Sequence, residues 1–140
     1  MARDSYLDHI AAIPLFSQCS KKDLRVIEKA LTDTDVKSGT VLMREGEDAS
    51  SFVILVSGQA TVSRGGEEVA TLDSGTMIGE MAILMDRPRS ATVVTATECE
   101  ILVGERRVFE GLLDEVPGLA RKVLHALAER VADNEDHMLH

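Results

Sequence analysis

The stretch GEMAILMDRPRS, residues 79 to 90, places a glutamate and an arginine at opposite ends of one short segment. Arg89 follows Pro88. The proline fixes its own φ and favours an extended residue before it, so the spacing predicts a strand opening at Arg89. Strand alternation then puts Arg89, Ala91 and Val93 on one face. A guanidinium at the mouth of that face can pair bidentately with a phosphate. Glu80 is a poor neighbour for a phosphate but a good acceptor for a sugar hydroxyl. Gly79 permits a close approach of backbone to ligand. Residues 80 to 84 suit about one helical turn, whose first unpaired N–H groups, near Met81 and Ala82, attract an anion. The plainer alternative is a structural ion pair between Glu80 and Arg89 in a domain that binds nothing.

The rest of the chain gives such a ligand no long-range help. The 140 residues carry a formal net charge of -9, so an anion must be held by local groups. The acidic balance argues against nucleic acid, which needs clustered Lys or Arg. Hydrophobic residues make up 44% and charged residues 28%, a composition of folded soluble domains. Apolar runs such as Phe52 to Val56 are too short to span a bilayer. The charged start MARDSYLDHI lacks a signal-peptide core, so a cytoplasmic location without membrane contact is expected. Cys19 and Cys99 have no metal spacing and read as reduced. His9, His125, His137 and His140 all lie outside the segment rich in strand residues, which therefore holds no histidine metal site. No nucleophile–base order is apparent, so a binder rather than an enzyme is expected.

The elements that must position Glu80 and Arg89 fall into three blocks. Residues 1–31 read as helices: Tyr6, Leu7, Ile10 and Ala11 share a face, Pro14 interrupts, and Ser20-Lys-Lys-Asp23 opens a helix carrying Leu24, Ile27 and Leu31. Residues 32–104 read as about eight short strands cut by glycine turns, with a Gly65-Gly66 hairpin and a strand covered on both faces at FVILV. Val69, Ala70, Leu72 and Ile78 read as core. Residues 105–140 return to helix: ERRVFEGLLDEV ends near Pro117, and Ala120, Leu124, Leu127 and Val131 form one apolar stripe on a last helix. The expected fold is α+β: an antiparallel, jelly-roll-like β-roll flanked by N-terminal helices and a C-terminal helix pair, as one domain over 1–140.

IGEMAILMDRPRSATVV, within residues 78–92 above all, resembles the phosphate-binding cassette of cyclic nucleotide-binding domains. Gly79, Glu80, Ala82, Leu84, Pro88, Arg89, Ser90, Ala91 and Thr92 fit that pattern. PLFSQCSKKDL resembles the family's N-terminal helical segment, and MREGEDASSFVILVSGQATV its roll. Ile78 stands where the family carries an aromatic residue.

The resemblance implies that Arg89 holds the cyclic phosphate, with Ser90 and the amides near Met81 and Ala82. Glu80, beside Gly79, would take the ribose 2′-hydroxyl. Leu72 above all, with Ile78, Val69 and Ala70, would wall the purine pocket. Asn134, further along the last helix, has three readings: a solvated residue, a register-setting residue between two subunits, or a contact to the purine edge.

The resemblance further implies a sensor domain for cyclic AMP, or cyclic GMP, with no other cofactor. Its output would be the position of the C-terminal helix, acting on an effector domain or a second copy. Two rivals stand beside it. One is the sensor part of a catabolite-activator-type transcription regulator, although the acidic tail after residue 132 offers no recognition helix. The other is an interaction scaffold that has lost its ligand.

Overall fold

Phe52, Val53, Ile54, Leu55 and Val56 are all buried on one strand, yet they belong to two different cores. Alternation sends Phe52, Ile54 and Val56 to one side and Val53 and Leu55 to the other. The fold is built around that division. In the computed structural model, which describes residues 2–125, 128, 129 and 132, the strands are β1 (Thr32–Val36), β2 (Val41–Met43), β3 (Ser51–Ser57), β4 (Ala60–Arg64), β5 (Glu67–Leu72), β6 (Thr76–Ile78), β7 (Thr92–Thr95) and β8 (Cys99–Glu105). They form two antiparallel four-stranded sheets, ordered β1-β8-β3-β6 and β2-β7-β4-β5. Val53 and Leu55 meet Met43, Ala60, Ile78 and Val93 in the core between the sheets.

The other side of β3 is covered by helices. These are α1 (Ala2–Ala11), a 3-10 turn (Pro14–Phe16), α2 (Lys21–Ala30), α3 (Glu80–Leu84), α4 (Arg106–Glu115) and a further helical stretch at 119–125. Phe16, Phe52 and Phe109 are fully buried there. The Phe52 and Phe109 rings meet edge to face, centroids 5.3 Å apart, a favoured aromatic geometry. This contact ties α4 to β3. At the start of α2 the Ser20 side chain accepts a hydrogen bond from the Asp23 amide, as the sequence predicts for a helix cap. Tyr6 anchors α1 to the outer sheet through hydroxyl hydrogen bonds to Glu100 on β8 and Asp33 on β1. The turn between β4 and β5 uses Gly65 at φ 58° and Gly66 at φ 83°, the two positive values that a tight hairpin demands.

Three expectations need correction. The strand after Pro88 begins at Thr92, not Arg89. Arg89 instead pairs with a loop: its N–H donates to the Glu47 carbonyl, and its own carbonyl accepts from the Gly46 N–H. Val69 and Ala70 are exposed rather than core, Val69 at 52%. β5 is an edge strand whose register slips between Val62 and Ser63, leaving Val69 unpaired in a bulge. A bulge at a sheet edge turns its residue away from the core. On the last helix, Leu119 and Val123 face the core while Ala120 and Leu124 face outward, Leu124 being 67% exposed. The packed face lies one residue N-terminal to the predicted stripe, because the turn at Val116–Gly118 sets the helix phase. Leu127, Val131 and Asn134 lie outside the described residues. Among the described residues, no helix is long and apolar enough to cross a membrane. Both cysteines are free, Cys99 buried and Cys19 half-buried.

Candidate ligand-binding site

The cassette is a bend held open by a glycine. β6 ends at Ile78, and Gly79, at φ 88°, turns the chain into α3. A side chain at this position would collide with two neighbours. A Cβ on Gly79 would stand 2.3 Å from the Met43 methyl and 2.5 Å from Nη1 of Arg89. The guanidinium uses the vacant space, and Nη1 donates a 2.9 Å hydrogen bond to the Gly79 carbonyl. Nη2 donates to the Ser51 carbonyl at the start of β3. Arg89 therefore bridges the cassette bend and the central strand.

Arg89 is 7% exposed. Its side-chain hydrogen bonds go to peptide carbonyls, which carry no formal charge. Burial pushes its pKa below the ordinary arginine value, and the negative charge of Glu47 opposes that shift. An arginine stays cationic nonetheless. A buried cation bonded to neutral acceptors remains under-compensated. This is the electrostatic condition for an anion site.

The space beside it is a cavity of about 310 Å³, at the lower end of the range for small-ligand pockets. Gly79, Glu80, Met81, Ala82, Arg89 and Ser90 all line it, and so do Leu72 and Ile78. The predicted polar residues and part of the predicted apolar wall are thus brought together. Val69 and Ala70 are not among the lining residues: Val69 stands in the bulge, and Ala70, though paired with Val62, is exposed on the edge strand. Ser90 is exposed, between the buried Arg89 and Ala91, and lines the cavity with both. Ile78 is 6% exposed and packs in the core between the sheets. The sequence reading missed Met43, Val62, Arg64 and Thr76 as lining residues. The period-two alternation Ala60, Val62, Arg64 was a usable signal for two of them.

Behind α3 lies an adjoining cavity of about 350 Å³. Its lining includes Ile13 and Leu15 from the N-terminal segment, Met77, Glu80 and Met81 from the cassette, and Val123 from the last helix. The cassette thus separates the first cavity from the helices. Among the described residues, no group of three or more His, Cys, Asp or Glu could hold a metal. The arrangement offers a buried cation, backbone donors at a helix start, a carboxylate and an apolar wall within one concavity.

The sequence model of the cyclic nucleotide-binding domain matches residues 34–116. This chain belongs to the cyclic nucleotide-binding domain family. It is 31% identical over 120 residues to a cAMP-dependent protein kinase regulatory subunit of Hypocrea atroviridis, covering 86% of this chain and 26% of that protein. It is 35% identical over 121 residues to a cyclic nucleotide-gated potassium channel of Rhizobium etli, covering 86% of this chain and 34% of the channel. The chain therefore spans about a third or less of the length of these two relatives. In three dimensions it resembles the catabolite activator protein of Thermus thermophilus, with a TM-score of 0.78 and 26% identity over 90% of this chain and 62% of that one. The two-sheet roll with flanking helices is thus the architecture of a cyclic nucleotide-binding domain.

Proposed function

We propose that this chain is a non-catalytic, cytoplasmic sensor module that binds a cyclic nucleotide, cyclic AMP or cyclic GMP, in the cavity beside the cassette. One observation carries the reading: a buried arginine bonded to neutral carbonyls faces a cavity that α3, Glu80 and Ser90 also line. In this reading the cyclic phosphate neutralises Arg89 and takes further donors from Ser90 and the amides of Met81 and Ala82. Glu80, next to Gly79, accepts the ribose 2′-hydroxyl. The base lies against Leu72 and Ile78. Val69 and Ala70, which do not line the cavity, have no part in this reading.

The signal passes to the helices. Support comes from the adjoining cavity, where the cassette, the 3-10 turn and Val123 meet around α3. A ligand that binds one arrangement of these elements better than another shifts their balance by its differential affinity alone. The partner that reads the shift is an effector domain or a second copy of the chain, with no nucleic acid bound by the described residues.

Isothermal titration with cyclic AMP and cyclic GMP, on the natural chain and on Arg89→Ala, tests the site. Measurable affinity that falls steeply in the variant is expected. Affinity that survives the substitution unchanged overturns the assignment. Thermal unfolding gives an independent readout: a ligand at 100 times its Kd adds about 2.7 kcal/mol of stability. A chain that neither nucleotide stabilises is the interaction scaffold instead.

A further inference from the structure

The cavity has a second arginine. Arg64, the last residue of β4, lines it together with Arg89, Ser90 and Ala91. The strand register says which end it occupies. β4 pairs with β7 through Val62 opposite Val93 and Ser63 opposite Thr92. Arg64 and Ala91 are the next residues beyond that last pair, at the end of the ladder where both line the cavity. Arg64 follows Val62 by two residues and so points to the same face, the face on which Ala91 and Val93 are buried. Arg64 thus shares the Arg89 and Ser90 end of the cavity, while Leu72 lies beyond Val62, opposite Ala60.

Arg64 differs from Arg89 in its surroundings. It is exposed, at the rim rather than the floor. Among the described residues its side chain forms no hydrogen bond or ion pair. Glu45, close to the same hairpin, accepts a 3.0 Å hydrogen bond from the Gly65 amide instead. A cation kept at the rim of a cavity, in a chain of net charge -9, supplies the local attraction that the overall charge denies to an anion.

We propose that Arg64 is a second phosphate-facing cation of this site. Its guanidinium takes the exocyclic phosphate oxygen that Arg89 does not hold, and it draws the anion in past an otherwise acidic surface. The inference rests on the reading of the cavity as a cyclic nucleotide site. It adds a recognition element from β4, outside the cassette, that acts on the phosphodiester and ignores the base.

The test is titration of the natural chain, Arg64→Ala and Arg64→Lys with cyclic AMP and cyclic GMP across a series of salt concentrations. Arg64→Ala is expected to weaken both nucleotides alike, by roughly tenfold, with an unchanged melting temperature because the side chain is at the surface. The dependence of affinity on salt should become shallower, as one charge contact is removed. Arg64→Lys should restore most of the affinity and the salt dependence, which a merely structural role would not. Unchanged affinity in Arg64→Ala overturns the proposal while leaving the site itself standing. A loss confined to one nucleotide also overturns it, since that pattern marks a contact to the purine. Failure of the natural chain to bind either nucleotide overturns both this proposal and the reading beneath it.

Discussion

Nη1 of Arg89 donates a 2.9 Å hydrogen bond to the carbonyl of Gly79, the residue whose missing side chain makes room for it. The guanidinium is therefore a structural brace between the cassette and β3 as well as a candidate ligand group. Arg89→Ala should cost about 2 to 4 kcal/mol of nucleotide binding, about 30- to 1000-fold. It should also lower stability by about 1 to 3 kcal/mol, because two half-buried carbonyls lose their donor. Calorimetry in the presence and absence of ligand separates the two effects.

Gly79→Ala is expected to damage the site without touching a charge. At φ 88° an alanine is strained, typically by about 1 to 3 kcal/mol. The new methyl also meets Met43 and Arg89 at contact distances that atoms do not tolerate. Denaturant unfolding should show the loss. Nucleotide titration should show binding weakened at least as far as in Glu80→Gln, whose amide oxygen still accepts one hydroxyl.

Phe109→Ala should destabilise the fold by about 3 to 5 kcal/mol. The ring is fully buried and stacks edge to face on Phe52. A melting temperature near that of the natural chain would contradict the packing described for α4.

The two faces of the last helix make a matched pair. Leu119 is fully buried and Leu124 is 67% exposed. Leu119→Ala should cost about 2 to 5 kcal/mol, whereas Leu124→Ala should stay within about 0.5 kcal/mol. A reversed order, with Leu124→Ala the costlier, would mean that the helix packs with the phase the sequence pattern suggests rather than the one observed.

Much of this was legible in the residues. Glycine spacing located the turns, Ser20 located a helix start, and FVILV announced a strand with two dry faces. The cassette motif brought Glu80 and Arg89 to one concavity before any coordinate did. The misreadings share a cause. Val69 looks like core because a valine in a strand usually is, but a bulge is a matter of register between two strands, and neither strand encodes it alone. The stripe from Ala120 to Leu124 has proper helical spacing. Which of two adjacent apolar rows packs depends on the turn after Val116, a tertiary matter. Arg89 reads as a strand residue because it follows Pro88; that its backbone partner is the Gly46–Glu47 loop is a long-range fact. Arg64 was overlooked because arginine near a hairpin ordinarily means solvent.

The partition between the helical core and the space between the sheets is one strand thick. Phe52 and Ile54 bear on the helices, and Val53 and Leu55, their immediate neighbours in the chain, bear on Ile78 and Val93. There is no second layer to absorb a shift. A tilt of α4 levered through the Phe109 ring reaches the far side of that wall within a single peptide unit, so the roll behaves less like an insulated container than like a drumskin touched from both sides.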